Sequence, residues 1–333
     1  MKKSTRYIFC LALFLGCVYP AAAADISSFY TSNQSPLIAI YGLPSIGEAR
    51  VAAKSDGSLR LTMDLVNNYV SESNAKESIV LDGESCRLTF SSRYGIGRKT
   101  DVGVDIPIII SSGGFLDNAI ESYHSTFGFP NGGRELAPRN RLLYRYQKNG
   151  VTVLNMEQSG QGIGDVSING GWQIYQDEDG QRNLALRANV KLPTGATDTL
   201  HGSGSADLAL WIVGNLGHQF SLGQVTLFGG AGAMGMTKGK VLQDQQQPLV
   251  GFGSLGLGFS PAHWIELKIQ TNAHTAFYSD SDLKEISGAS AQLTVGGALH
   301  FTPKTSLDIG VTEDIIVGAS PDVVLYLSLH RSF

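Results

Sequence analysis

The sequence predicts an all-β fold: a transmembrane, antiparallel, up-and-down β-barrel of about 14 strands, with 12 to 16 compatible, and one short helix in an outer loop. Three observations carry this. Segments of about ten residues alternate apolar and polar side chains, connections alternate short and long, and the last strand runs to the terminal carboxylate at Phe333.

The alternation recurs along the chain. In "GSLRLTMDL", Leu59, Leu61, Met63 and Leu65 oppose Ser58, Arg60, Thr62 and Asp64. The next segment sets Cys86, Leu88 and Phe90 against Ser85, Arg87, Thr89 and Ser91. In "NLALRANVKL", Leu184, Leu186, Ala188, Val190 and Leu192 share a face opposite Arg187, Asn189 and Lys191. "WIELKIQTNAH" places Ile265, Leu267 and Ile269 against Glu266, Lys268 and Gln270. A soluble sandwich with one wet face produces the same pattern. The number of such segments, with charged residues at only 16% against the usual 25% or so, favours a barrel with its apolar face outward.

Connection lengths add a second argument. Counting back from the C-terminus, 302–305 is short, 276–290 long, 260–263 short, 235–248 long, 221–224 short, 193–205 long and 177–182 fairly short. Outer-membrane barrels pair short periplasmic turns with long outer loops, which puts the chain end on the periplasmic side. Strands begin near Gly57, and 141–147 with 151–155 reads as a hairpin on Lys148-Asn149-Gly150, a type I′ turn signal.

The N-terminus fixes the compartment. A basic leader containing Lys2, Lys3 and Arg6, an apolar stretch from Tyr7 to Val18 and Ala22-Ala23-Ala24 form a secretory signal peptide over 1–24, cleaved before Asp25. A lipoprotein reading at Cys17 competes, with Phe14 where such sites usually carry Leu. Cleavage lowers the net charge from −4 by three units, to about −7, and leaves Cys86 as the one cysteine, so no intramolecular disulfide forms. With an acidic balance and no basic stripe, nucleic acid is not an expected partner. Residues 25–56 form an N-terminal segment, either a plug in the lumen or a periplasmic piece, and 57–333 form the barrel.

One stretch breaks the strand rhythm. In "GGFLDNAIESYHSTFGFPNGGR" (113–134), Phe115, Leu116, Ala119, Ile120, Tyr123 and Phe127 recur at helical spacing. A helix here lies in an outer loop, where Phe115, Ile120, Tyr123 and Phe127 are candidates to constrict the mouth, or it packs on the rim without gating.

"PLIAIYGLPSIGEARV", the stretch from "LDGESCRLTF" to "FPNGGR" and "NLALRANVKLPTGATDTLHGSGSADLALW" together resemble a family of Gram-negative outer-membrane barrels known as domain-of-unknown-function family 3187. The resemblance covers most of the mature chain and implies location and architecture, with no established substrate and no catalytic residues. The piece Lys191–Gly195 with Gly202, Gly204 and Asp207 is also similar to a loop in barrels linked to aromatic-degradation pathways. Phe333, with Leu329, Leu327 and Leu325 at alternate positions, resembles the signal such barrels present to the barrel-assembly machinery; Arg331 departs from it.

Chemistry-bearing motifs are sparse. There is no Gly-x-Ser-x-Gly, the seven histidines are scattered, and "SDSDLKE" (279–285) lacks the glycine of a calcium loop and reads as a solvated outer loop. An enzyme, a metal and a cofactor are not expected. The expected function is an outer-membrane channel or transporter for a small solute of unknown identity, embedded in outer-membrane lipid. Arg60, Asp64, Arg87, Arg187, Lys191, Glu266, Lys268 and Asp308 are the candidate lumen-lining residues, whose mixed charge favours small polar solutes. Alternatives are a hydrophobic-solute transporter with an N-terminal plug and a structural or adhesin-like barrel.

Overall fold

The computed structural model describes residues 26–118, 122, 126, 137–316 and 318–333; the leader and its cleavage point lie outside the described residues. Fifteen strands follow one another: β1 (Gly57–Ser73), β2 (Glu77–Gly95), β3 (Thr100–Ser112), β4 (Leu143–Lys148), β5 (Val151–Met156), β6 (Gly160–Ile163), β7 (Ser167–Gln176), β8 (Arg182–Lys191), β9 (Asp207–Phe220), β10 (Gly223–Met236), β11 (Leu249–Ala262), β12 (Ile265–His274), β13 (Ser290–Thr302), β14 (Thr305–Ile316) and β15 (Val323–Ser332).

Twelve of these, β1 to β3 and β7 to β15, pair antiparallel with their neighbours, and β15 returns to pair with β1, closing the cylinder. The barrel therefore has 12 strands, the lower end of the expected range and not 14. The difference lies in β1 and β2, 17 and 19 residues long, whose far ends outrun the wall. Residues 84–95 of β2 already pair with β3, so β4 finds an edge only at Glu77–Asp82, beyond the cylinder. The β4–β5 hairpin turns at Asn149 and Gly150, whose φ values of 50° and 76° suit a type I′ turn. β6 extends the β7 segment along β3, from which Gly164 N–H donates to Pro107 O at 2.8 Å.

Side chains alternate across the wall with the period of the pleat. Leu61, Ile108, Leu210, Leu255, Leu267 and Leu329 face outward and are 45–61% exposed. Inward-facing Thr62, Asn169, Gln270, Thr294 and Ser328 are buried. This is the reverse of a soluble domain, and the outward apolar surface far exceeds the few hundred Å² that a soluble monomer exposes in one patch. No helix among the described residues is long and apolar enough to cross a membrane.

The segment before β1 lies inside the cylinder. Its first limb rises along β11 and β12: Phe29 N–H donates to Gln270 Oε1 at 2.8 Å, and Asn33 Nδ2 meets His274 Nε2 at 2.8 Å. The chain turns at 35–41, with Ala39 N–H donating to Ser35 O at 2.8 Å, and descends past β9, β8 and β7 to enter β1. Two glycines of the wall make room. A Cβ on Gly258 would sit 2.3 Å from Ile26, and one on Gly95 would sit 1.9 Å from the Ala53 carbonyl oxygen.

The ends differ. One carries the short connections and both the entry to β1 and Phe333, whose backbone exchanges two hydrogen bonds with Gly57. At the other, the long connections, the β4–β5 hairpin and the turn 35–41 share a hydrophobic core containing Leu37, Ile38, Tyr41, Tyr146, Phe277 and Tyr278. Glu77 fastens it by accepting from Tyr146 Oη at 2.6 Å and from the Asp282 N–H at 2.9 Å. The 279–285 stretch is thus packed and not merely solvated: Leu283 is buried, and a four-residue helix, Lys284–Ser287, follows it.

A closed ladder predicts a measurable property. The unheated protein should migrate differently from the boiled protein on a denaturing gel, and Thr62→Pro, which removes a backbone donor from β1 where it lies between β2 and β15, should abolish the difference.

Candidate functional site: the barrel interior

A segment with no sheet partner must satisfy its backbone polar groups from elsewhere. Wall side chains supply them. Cations donate to its carbonyls: Lys268 Nζ to Ser27 O at 3.3 Å, Arg87 Nη1 to Ala39 O at 2.9 Å, Lys191 Nζ to Ile40 O at 3.3 Å, and Arg187 Nη2 to Glu48 O and Arg50 O at 2.8 and 2.9 Å. Trp211 Nε1 donates to Ile46 O at 2.9 Å. In the other direction, Gly42 N–H donates to Asp207 Oδ2 at 2.8 Å, Val51 N–H to Gln173 Oε1 at 2.7 Å and Ala52 N–H to Asp101 Oδ2 at 3.1 Å.

Arg187, Lys191 and Lys268 are neutralised in place. Arg187 Nη1 donates to both carboxylate oxygens of Asp101, at 2.8 and 2.9 Å, both side chains nearly fully buried. Lys191 lies 2.5 Å from Asp165 Oδ2 and 3.2 Å from Asp207 Oδ2, and donates to Ser203 Oγ at 2.6 Å. Arg60 pairs with Glu48 of the segment at 2.7 Å. Lys268 pairs with Asp308 at 3.2 Å, and Glu266 with His300 at 2.7 Å. Asp64 accepts from Thr31 Oγ1 of the segment at 3.0 Å.

All eight charged side chains singled out in the sequence therefore point inward. They do not border an open channel, because the N-terminal segment fills the space between them. Phe115 is 70% exposed, while Ile120, Tyr123 and Phe127 lie outside the described residues. The helical spacing around them is seen at Asp117, Asn118, Ser122 and Thr126. Leu325, Leu329 and Phe333 stand on the outer face, and Leu327 is half-buried there.

Two glycine-containing motifs converge on Lys191. Asp165 of "GIGD" sits between β6 and β7, where its Oδ1 also accepts from the Gly195 N–H at 2.7 Å. Ser203, Ser205 and Asp207 come from the connection after β8 and the start of β9, linked by hydrogen bonds of 2.7 and 2.5 Å. In that connection burial pushes the His201 imidazole below its ordinary pKa, against the pull of Asp198, and Nδ1 meets Thr199 Oγ1 at 3.1 Å. The cluster joins three segments: the wall, the 192–206 connection and the plug-side residues Ile40 and Gly42.

Sequence reading missed Asp101, Asp105, Arg93 and the segment's Glu48. The first three continue alternations visible in "TDVGVDIPIII" and after Ser91; Glu48 carries no periodic signal.

Between the segment and β1, β2, β3, β7 and β8 remains a cavity of about 90 Å³, bordered by both limbs. By the usual volume a water needs, it holds several.

Breaking one partner of a buried ion pair costs about 3–5 kcal/mol, while replacing both by apolar groups is far milder. Asp101→Ala should therefore markedly lower the unfolding midpoint in detergent, but Asp101→Ala with Arg187→Met should recover little of the loss, because Glu48 O, Arg50 O and the Ala52 N–H then lack their partners.

Among solved structures, the COG4313 outer membrane channel from Pseudomonas putida F1 is similar in fold, with a TM-score of 0.55 at 11% identity over 87% of this chain and 99% of that one. The NanC porin gives 0.42 at 8% identity, covering 83% and 98%, and the Pseudomonas putida toluene transporter TodX 0.37 at 10%, covering 93% and 96%; neither is close enough to carry an argument. No curated protein sequence matches the chain. The match of residues 10–333 to the family model described as "Protein of unknown function (DUF3187)" places this chain in that family.

Proposed function

We propose that this chain is an outer-membrane β-barrel that passes small polar solutes, held closed at rest by residues 26–52. The observation that carries the reading is the inversion of the wall: apolar side chains on its outside, and hydrogen-bonded polar and charged side chains inside around a segment that no strand pairs with. An apolar exterior suits hydrocarbon, where only closed ladders leave no backbone group unsatisfied. The alternation of short and long connections supports a periplasmic position for both ends of the described chain. The neighbouring fold is that of an outer membrane channel, which supports the same reading.

Closure follows from the chemistry of the interior. The segment is held by hydrogen bonds and ion pairs, contacts that water can replace, and by the apolar turn 35–41. A solute path therefore opens when the polar limbs exchange protein partners for water. The mixed charge of the wall gives no strong preference between cations and anions. Catalysis has no part in this account: the neighbour is a channel, and Arg60, Arg187, Lys191 and Lys268 of the interior are held in ion pairs.

Two outcomes are expected. In planar bilayers the mature protein should be silent or give small steps, and deleting 26–52 should give large ones; silence from both forms, each heat-modifiable on a gel, contradicts the reading. Removing Phe333, whose backbone seals the first rung against Gly57 and whose ring lies outside, should cut the amount of heat-modifiable protein in the outer-membrane fraction several-fold.

A further inference from the structure

The cavity beside the N-terminal segment has a built wall. A chain of hydrogen bonds runs along it: Arg93 Nη2 donates to Tyr30 Oη at 3.1 Å, Tyr30 Oη to Asp105 Oδ2 at 2.8 Å, Asn169 Nδ2 to the same oxygen at 2.8 Å, and Asn189 Nδ2 to Asn169 Oδ1 at 2.9 Å. The Tyr30 ring is fixed between two guanidinium groups, Arg60 at 5.1 Å and Arg93 at 5.8 Å from its centroid. Asp105 Oδ2 accepts twice and Tyr30 Oη both accepts and donates, which fixes these side chains in place.

Several buried polar atoms of residues that line the cavity are left over. Arg93 Nη1, Asp105 Oδ1, Asn189 Oδ1 and Ser45 Oγ are buried, border the cavity and have no protein partner. Asn189, which lines the cavity, is only 4% exposed, and its side-chain oxygen has no partner. A buried polar atom left unmatched costs about 1–3 kcal/mol, so the wall is arranged for something that both gives and accepts hydrogen bonds. A guanidinium N–H needs an acceptor, a carboxylate and an amide oxygen need donors, and the serine hydroxyl takes either role.

Charge narrows the class. Arg87, Arg93 and Lys191 border the cavity with Asp64, Asp105 and Asp165, three cations against three carboxylates. An ion of either sign would be stripped of water to meet groups that cancel. A neutral solute escapes that cost, and hydroxyl groups match the mixture of free donors and acceptors. An aromatic or alkyl solute would leave all four atoms unmatched.

We propose that this cavity is a binding site for a small, uncharged, hydroxyl-bearing solute about the size of a three- or four-carbon polyol. About 90 Å³ is room for several waters, which such a molecule would displace while keeping their hydrogen bonds. The proposal rests on the transport reading above for its purpose, and gives that reading a solute class. Since the cavity is bordered by Ser32 and Gln34 of one limb and Gly42 and Ser45 of the other, an occupant touches both limbs of the segment that closes the barrel.

Titration calorimetry on the full mature protein in detergent tests this, with erythritol and glycerol as neutral probes and acetate and ethylammonium as charged ones. Saturable binding of a polyol with a Kd of about 1 mM is expected, with acetate and ethylammonium at least tenfold weaker. Asn189→Leu should weaken polyol binding at least tenfold while the gel shift on heating persists. Asn189→Asp, which keeps the shape and adds a fourth carboxylate, should turn the preference toward ethylammonium. No saturable heat with either polyol, tighter binding of a charged probe to the unaltered protein, or unchanged polyol binding by both variants overturns the site. Binding without conductance in the deleted form would instead remove the channel and keep the site, and conductance without binding would do the reverse.

Discussion

Every backbone amide and carbonyl enclosed by this molecule must find a partner within it, and that demand organises the rest. The wall meets it through a ladder that closes on itself between β1 and β15. The N-terminal segment, which has no strand beside it, meets it only because inward wall positions carry side chains long and polar enough to reach its backbone. Arg187 serves two carbonyls and an acid at once, and Lys191 serves a carbonyl, a hydroxyl and two acids. The carboxylates then follow, because cations buried without them would be too costly to keep.

The same arrangement explains why the interior is closed yet suited to passage. Hydrogen bonds to charged groups contribute about 1.5–3 kcal/mol each and are replaceable by water, whereas an apolar core of equal size would have no such exchange. The polar limbs run through the cylinder, and the apolar turn 35–41 is confined to the end bearing the long connections. There it joins Phe277 and Tyr278, with the Tyr41 and Phe277 rings 5.1 Å apart. On the proposed reading, retention and release of the segment are separated in space, the first set by the capping core and the second by the wall.

Much of the wall was legible in the sequence because the pleat has a period of two, and a face that must be apolar leaves a mark at every second residue. That is why Arg60, Asp64, Arg87, Arg187, Lys191, Glu266, Lys268 and Asp308 could be assigned to one side. The strand total was harder. The β4–β5 hairpin alternates like a wall strand and has a sound turn at Asn149-Gly150, but its pairing is decided by how far β2 extends, which is a property of another segment. Least legible was the course of 26–52. Its partners are remote, Phe29 and Gln270 being 241 residues apart, and its conformation follows the barrel's interior and not any periodicity of its own. The convergence of "GIGD" and the residues after Lys191 on one buried ammonium was likewise hidden, since glycine-rich motifs read alone suggest many things.

The most direct test of this account is amide hydrogen exchange across residues 26–52 in the detergent-solubilised mature protein. Amides bonded to the wall, those of Phe29, Gly42, Val51 and Ala52, should be protected to a degree approaching the strands around them. Exchange throughout the segment as fast as in an unfolded peptide, with the strands still protected, would contradict it.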